Sequence, residues 1–198
     1  MANGSVESAE EADDGVEEWS AIRLSLLVGL ACVVGGLLPA ILLGWLLARR
    51  RFLGKSLLAT VLLAPIALPP VVTGFILLRL LGRSGLLGPV LESVGLQVPF
   101  TTVGAAVSAF VVSFPLYLLT ARSAFSLVDR RYEEVAMTLG DRPAKTFWRI
   151  TIPLALPGLA AGALLMFARA IGEFGATAVL AGNVAGETRT IPLAIYTL

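Results

Sequence analysis

Two charged side chains stand four residues apart in an otherwise apolar stretch, "FARAIGEFGAT". They are Arg169 and Glu173, which share one face of a helix because residues four apart lie one turn above each other. Each costs about 2.5 to 3.5 kcal/mol at the centre of a membrane helix. The arginine could attract an anion transiently while the carboxylate prevents tight trapping, which makes the pair a candidate lining of an anion path. The alternative is a self-neutralising pair that faces a neighbouring helix.

Other kinds of chemistry lack the residues they need. The chain has no histidine and a single cysteine, Cys32, so a disulfide framework and a cysteine-based metal site are both excluded. The segment "LGKS" at residues 53–56 resembles the end of a phosphate-binding loop. That loop requires a glycine where Arg49 stands and a strand before it. We therefore expect no catalytic residues, no metal and no cofactor in this chain, which would not be an enzyme.

The elements that must hold the charged pair are apolar runs. Of the 198 residues, 57% are hydrophobic and only 15% are charged, whereas soluble domains average about 25% charged residues. About 20 helical residues suffice to cross a membrane, and four runs reach this length at about residues 24–47, 57–81, 103–121 and 158–181. The sequence thus predicts an all-α, polytopic membrane bundle over residues 21–198, after an acidic, disordered tail over residues 1–20.

Basic residues in the short loops predict the orientation of the bundle. Ten of the fifteen lysines and arginines fall in the loops at residues 48–56 and 122–157. Alternation of the four spans places both loops on one side, which we expect to be cytoplasmic, with the N-terminus outside. The partial segment at residues 191–198 is too short to span the membrane.

Pro69 and Pro70 interrupt the second apolar run. They remove two backbone donors, so we expect a kink or break there. In a membrane such a break is tolerated where neighbouring helices or water satisfy the freed carbonyls, which makes both prolines candidates for the translocation path as well as for a packing kink. Small residues at every fourth position predict close helix packing, in the sets Gly36, Ala40, Gly44 and Ala168, Gly172, Ala176.

The loop between the third and fourth runs has the pattern of two short amphipathic helices. Asp129 can cap the first helix and Gly140 can end it in a left-handed turn. Asp141 can cap a second helix, which the "TIP" segment should end. The apolar positions are, in the first helix, Tyr132, Val135, Ala136 and Leu139, and in the second Ala144, Phe147 and Trp148. A hairpin lying on lipid headgroups is an alternative, but the interleaved acids favour a protein groove.

The residues of this loop resemble the EAA motif of ABC-importer permeases. That motif reads E-A-A, three residues, G, nine residues, I, one residue, L-P. The chain has the same spacing at Glu134, Ala136, Gly140, Ile150 and Pro153. It departs from the motif at Val135 and Ile152, which replace an alanine and a leucine.

The resemblance implies the type I ABC importer permease fold. It also implies that the loop carries a coupling helix, which sits in a cleft of a separate ATP-binding subunit. Glu134, Ala136 and Gly140 would take the motif's roles, and Tyr132, Leu139 and Arg142 would be neighbouring contacts. ATP and magnesium would then bind to the partner subunit.

Three further segments resemble molybdate permeases and the similar tungstate permeases: "LAPIALPPVVTGFILL", "FARAIGEFGAT" and "GNVAGETRTIPLAIYTL". Members of that family continue into at least one more membrane helix, so this chain is expected to end before its last one. The implied assembly has two permease copies, two ATP-binding subunits and an extracytoplasmic oxyanion-binding protein in a cell membrane. No nucleic-acid partner is expected.

Three alternatives stay open at this point. The first is a sulfate/thiosulfate permease, which shares the "RAIGEFGA" segment. The second is an ATP-independent anion channel or carrier, and the third is a membrane scaffold that recruits a soluble protein. Neither the channel nor the scaffold needs the EAA spacing.

Overall fold

The computed structural model describes the backbone of residues 3–197 and the side chains of residues 18–197. Within these residues every regular element is helical, as the sequence predicts. The elements are α1 (Asn3–Arg49), α2 (Lys55–Ala67), α3 (Pro70–Leu81), α4 (Gly88–Ser93), α5 (Thr102–Leu127), α6 (Arg130–Thr138), α7 (Pro143–Thr146), a π-helical turn (Phe147–Thr151), α8 (Ile152–Ile171), α9 (Gly175–Leu180) and α10 (Ile191–Thr197).

Helix α1 reaches further toward the N-terminus than the sequence predicts. Its backbone is helical from Asn3 onward, which differs from the disordered tail predicted for residues 1–20; residues 1 and 2 lie outside the described residues. Once the apolar part of α1 is helical, each added residue contributes a hydrogen bond without a new nucleation cost. Glutamate and alanine, which are frequent in this segment, are also good helix formers.

Helices long and apolar enough to cross a membrane form most of the described chain. Three continuous stretches qualify by length and composition, namely Glu18–Arg49, Thr102–Leu127 and Pro143–Ile171. The pair α2 and α3 adds a fourth if the bent pair is counted as one span. The four predicted runs therefore correspond to three continuous helices and one broken one.

The core of the bundle is formed by α1, α5 and α8, which contact one another along their lengths. A Cβ added to Gly44 would lie 2.8 Å from the Cβ of Ala121, and one added to Gly36 would lie 2.8 Å from the Met166 sulfur. Ala40, between these glycines, is fully buried. The predicted small-residue stripe of the first span is thus a packing surface.

The second predicted stripe does not pack in the same way. Ala168 and Gly172 are exposed within the described chain, while Ala176 lies in the separate helix α9. Helix α8 instead approaches α5 through Gly162, where an added Cβ would lie 2.7 Å from the Tyr117 ring.

The second apolar run is broken at the two prolines, which confirms the predicted break. Helix α2 ends at Ala67, α3 begins at Pro70, and the two axes differ in direction by 118°. Leu68 N–H still bonds to the carbonyl of Ala64, and Pro70 occupies the first turn of α3, where a missing N–H is tolerated.

The fourth run differs from the prediction at both ends. It begins earlier, because α7, the π-helical turn and α8 form one continuous stretch from Pro143 to Ile171. Pro153 does not end the helix: it stands in the first turn of α8, and Ile152 N–H bonds five residues back to the Phe147 carbonyl. This π-type bond shifts the register just before the residue that lacks a donor. The run also ends earlier, at Ile171, and α9 is a separate helix.

The ends of the bundle are defined by long-range hydrogen bonds. Arg49 at the end of α1 donates to the carbonyl of Val128, directly after α5, over 2.8 Å. Helices α1 and α5 therefore end, and α8 begins, at one end of the bundle, which we call the α6 end. At the opposite end, Ile191 N–H donates to Ser25 Oγ over 2.8 Å.

Candidate functional site

Helix α6 has the start and the end that the sequence predicts. The Asp129 carboxylate accepts a hydrogen bond from Arg131 N–H over 2.9 Å, which caps the first turn. Gly140 has a φ of +94°, and its N–H bonds to the Met137 carbonyl, while Asp141 N–H bonds to the Ala136 carbonyl. This pair of bonds is the Schellman motif, which requires a left-handed residue at the glycine position.

Asp141 does not cap a second helix, which corrects the sequence prediction. Its carboxylate pairs with Lys145, four residues on, and Arg142 stands at the N-cap of α7 without a side-chain capping bond. Arg142 is exposed, and its carbonyl accepts the hydrogen bond from Thr146 N–H. The second short helix is thus the first turn of the long stretch that continues into α8.

Most of the predicted contact residues lie on one exposed face of α6. Tyr132 and Val135 are each 58% exposed and Leu139 is 82% exposed, whereas Ala136 between them is buried. The same face borders a groove of about 800 Å³ that is lined by Tyr132, Val135, Ala136, Leu139, Asp141, Arg149, Ile150, Pro153 and Leu154. Glu134 is also exposed. The α6 end therefore presents an unpartnered apolar knob and groove with charged residues around it.

Aromatic packing fixes the body against which α6 lies. Phe147 in the π-helical turn meets the ring of Trp45 in α1 edge-on at 5.7 Å and stacks near Phe125 of α5 at 6.3 Å. Trp148, which the sequence grouped with Phe147 on one apolar face, is instead 65% exposed. Only Phe147 of this pair points into the bundle.

A polar cluster attaches the inward face of α6 to two other elements. Glu133 Oε1 accepts a hydrogen bond from Thr151 Oγ1 over 2.7 Å and lies 3.3 Å from Arg49 Nη2. The Arg49 side chain is 9% exposed and that of Glu133 is 21% exposed. Arg130 adds a bond from its Nη2 to the Arg49 carbonyl, at 3.2 Å. The cluster joins α6 to the end of α1 and to the π-helical turn.

The predicted charged pair forms, but at the end of a helix rather than in the middle. Arg169 Nη1 lies 2.7 Å from Glu173 Oε2, and Glu173 Oε1 accepts a hydrogen bond from Ala176 N–H over 2.7 Å. The Glu173 side chain is 1% exposed, and that of Arg169 is 31% exposed. Glu173 thus holds the first turn of α9, while Arg169 leaves part of its guanidinium accessible.

The break between α2 and α3 lies next to the break between α8 and α9. A Cβ added to Gly175, at the start of α9, would lie 3.2 Å from the Cβ of Pro70 at the start of α3. A Cβ added to Gly74 would lie 2.8 Å from the Cα of Ala176. The structure therefore brings the Pro69–Pro70 break next to the segment that Glu173 caps, so the four path candidates border one region.

Comparison with known protein families gives a match over most of the chain. The profile of the family described as "Binding-protein-dependent transport system inner membrane component" matches residues 40–198. The chain belongs to this family.

Individual relatives of this permease match most of the chain. The Molybdenum transport system permease protein ModB of Haemophilus influenzae is 47% identical over 180 residues, which are 90% of this chain and 79% of the relative. ModB of Escherichia coli K12 is also 47% identical, over 91% of this chain and 80% of the relative. The Sulfate transport system permease protein CysW of Synechococcus elongatus is 39% identical over 87% of this chain and 60% of the relative.

Family membership fixes the general role. The chain is a multi-pass component of an inner membrane and a transport subunit of an ABC system, and it works with an ATP-binding subunit and a substrate-binding protein. The predicted absence of enzymatic activity agrees with the relatives, which are named as transport permeases. Both the α6 knob and the Arg169–Glu173 pair fall inside the matched residues.

Sequence reasoning about this permease missed three residues of the polar cluster, namely Arg49, Glu133 and Thr151. Spacing alone does not distinguish Glu133 from the neighbouring Glu134, and only the burial of Ala136, three residues further on, shows that Glu133 lies on the inward face of α6. By sequence, Arg49 is a basic residue of the loop at residues 48–56 and stands where a phosphate-binding loop requires a glycine. Its partner lies 84 residues away, and no local pattern indicates such a pairing.

Proposed function

We propose that this chain is the permease subunit of an ATP-driven importer for molybdate or tungstate. The observation that carries the proposal is the exposed apolar knob of α6 at the end of a membrane bundle, in a chain that belongs to this permease family. Relatives named for molybdenum transport are 38–47% identical over 89–91% of the chain, and relatives named for sulfate transport are 36–39% identical over 79–87% of it. The higher identities of the molybdenum transport relatives favour molybdate over sulfate as the cargo.

The α6 knob is the docking element for the ATP-binding subunit. Tyr132, Val135 and Leu139 offer large apolar side chains that are costly to leave in water, and the adjoining groove can receive side chains of a partner. Exposed Glu134 and Arg142 supply polar contacts at the edge of such an interface, where charged residues steer association. When ATP and magnesium bind to the partner subunits and these close, the knob is carried with them and the membrane helices move.

Docking requires that the α6 end face the cytoplasm. The loops at residues 48–56 and 122–157 are then inside and the N-terminus is outside. The ten basic residues in these loops support the same orientation through the positive-inside rule. Trp45 and Arg50 at this end are in cation–π contact at 5.4 Å, an arrangement suited to a membrane–water interface.

The permease acts as a homodimer. Small residues let helices of two copies approach closely, and Ala168 and Gly172 form such an exposed surface in α8 and just after it. Two copies would also give two α6 knobs, one for each of two ATP-binding subunits. Crosslinking of a cysteine at Ala168 to the same residue of a second copy tests this arrangement.

Arg169 serves the translocation path. Its partly exposed guanidinium can attract a tetrahedral dianion, while Glu173 reduces the net local charge and limits how tightly the anion binds. Weak binding suits transport, because an anion that binds tightly leaves slowly. Selection among oxyanions then lies mainly with the extracytoplasmic binding protein, which delivers the cargo.

The deciding experiment is reconstitution of the permease with its ATP-binding subunit and binding protein in liposomes. Molybdate, tungstate and sulfate are compared as stimulators of ATP hydrolysis and as imported ions. The proposal predicts stimulation by molybdate or tungstate. Stimulation by sulfate alone would favour the second candidate, a sulfate permease, which the similarity to CysW supports. Uptake that proceeds without ATP would indicate a channel or carrier instead.

A further inference from the structure

The inward face of α6 carries a connection that docking itself does not require. Glu133 accepts a hydrogen bond from Thr151, in the π-helical turn that leads into α8, over 2.7 Å. The same carboxylate oxygen lies 3.3 Å from the guanidinium of Arg49, the last residue of α1. Arg49 also donates to the Val128 carbonyl between α5 and α6. The side chains of Arg49 and Glu133 therefore connect α1, the junction of α5 and α6, α6 itself and the π-helical turn.

Burial makes this cluster stronger than the other ion pairs outside the membrane region. The Arg49 and Glu133 side chains are 9% and 21% exposed, and Thr151 is 1% exposed. By contrast, the pair of Arg83 and Glu92 at the opposite end has side chains that are 75% and 51% exposed. Exposed pairs contribute little because water and salt screen them, whereas charge-assisted hydrogen bonds in shielded places are stronger.

The covalent chain cannot supply the same connection. Helix α6 continues from α5 through Val128 and Asp129, and it leads into α7 through the turn at Gly140. It has no covalent neighbour in α1. The Arg49–Glu133 contact and the bond from Arg130 to the Arg49 carbonyl, at 3.2 Å, are its polar links to that helix.

We propose that Arg49, Glu133 and Thr151 are positioning residues of the importer that transmit movement. They join α6 to the end of α1 and to the start of α8, so that a displacement of the docked helix reaches both membrane helices together. The inference rests on the proposed function, in which α6 docks to the ATP-binding subunit. Glu134 faces outward and touches the partner, whereas Glu133 faces inward and acts through the permease's own helices.

The test uses the reconstituted complex of permease, ATP-binding subunit and binding protein, and measures oxyanion imported per ATP hydrolysed. The first variant is Glu133→Gln, which keeps an acceptor for Thr151 but removes the charge that pairs with Arg49. The second is Thr151→Val, which is nearly isosteric and removes only the hydroxyl donor. The matched control is Glu92→Gln, which breaks an exposed ion pair at the opposite end.

The proposal expects both variants to assemble with the ATP-binding subunit at wild-type yield. Import per ATP should fall by about fivefold or more in Glu133→Gln, the lower end of typical coupling between sites, and to a smaller extent in Thr151→Val. The control should keep the wild-type ratio. The double variant Arg49→Gln/Glu133→Gln should import little less oxyanion per ATP than Glu133→Gln alone, because both substitutions break the same Arg49–Glu133 contact.

Two results would overturn the inference. One is a wild-type ratio of import to hydrolysis in both variants. The other is loss of assembly in Thr151→Val, which would show that the cluster shapes the docking surface rather than transmitting movement. Absence of ATP-driven import by the wild-type complex would instead contradict the proposed function, so the two failures are distinguishable.

Discussion

Glu173 and Glu133 each pair with an arginine and accept a second hydrogen bond, but they connect very different parts of the chain. Glu173 pairs with Arg169 four residues before it and caps α9 three residues after it. Glu133 pairs with Arg49, which is 84 residues away, and with Thr151 in a third element. The first site shapes a break in one helix, while the second joins separate helices. Local pairs of this kind fix backbone geometry, and distant ones fix how elements move relative to each other.

The largest effect is expected from removing the more buried carboxylate. Glu173→Ala leaves Arg169 without its partner and the buried Ala176 N–H without an acceptor. One unsatisfied buried donor and one lost hydrogen bond between charged groups should together destabilise the protein by about 3 to 5 kcal/mol. Glu133→Ala should cost less, about 1 to 3 kcal/mol, because its side chain is 21% rather than 1% exposed. Thermal unfolding of the detergent-solubilised variants measures both, and an equal or reversed order would contradict the comparison.

The partly exposed arginine of the local pair should affect transport more than folding. Arg169→Ala is expected to slow oxyanion uptake in vesicles by roughly tenfold, the change that corresponds to about 1.4 kcal/mol of lost interaction with the anion. Arg169→Lys keeps the positive charge and serves as the matched control, with uptake closer to the wild type. Unchanged uptake in Arg169→Ala, with normal membrane insertion, would assign the pair to packing alone.

A smaller effect is expected from the turn that ends α6. Gly140 has a φ of +94° and open space where a Cβ would lie, so Gly140→Ala should cost about 1 to 2 kcal/mol of backbone strain. Gly186→Ala is the matched control, because Gly186 has a φ of +75° and equally open surroundings near the opposite end. Both should lower the unfolding temperature similarly, but only Gly140→Ala should weaken co-purification with the ATP-binding subunit. Equal co-purification of the two variants would show that the turn at Gly140 is not needed for docking.

Single cysteines at exposed positions should disturb the protein least and report its orientation. With Cys32 replaced, cysteines at Ser56 and Lys145 should react with a membrane-impermeant thiol reagent only after the vesicle or cell is opened. A cysteine at Ser84 should react from outside. The reverse pattern would invert the assignment of the α6 end to the cytoplasm.

The contrast between local and distant contacts also explains how much of the structure the sequence predicts. Signals within a few residues were reliable at Asp129 and Gly140, whose roles in capping and ending α6 depend on their own backbone, and at Pro69–Pro70, which lack donors. The Arg169–Glu173 pair was predicted because i, i+4 spacing is a local rule. Predictions are wrong where packing or register overrides a local preference, as three features between α6 and α9 show. Asp141 pairs with Lys145 instead of capping a helix, Pro153 continues the helix after a π-helical turn, and the fourth run divides at Gly172–Phe174.

The features that sequence reasoning could not supply depend on distant contacts. The proximity of the two helix breaks arises where Gly74 and Gly175 let α3 and α9 touch. The attachment of α6 to α1 depends on Arg49, which by sequence is one of several basic residues of the loop at residues 48–56. In both places the residues are ordinary in their local context, and only the fold brings them together.

The most direct measurement of the central claim is photo-crosslinking from the exposed face of α6. A photoreactive residue is placed at Leu139, which is 82% exposed, and a matched one at Leu164 of α8, which is 69% exposed. In the assembled complex, adducts of the Leu139 probe should contain the ATP-binding subunit, and those of the Leu164 probe should contain phospholipid or a second permease copy. Leu139 adducts that contain only phospholipid would contradict the claim that α6 docks to an ATP-driven partner.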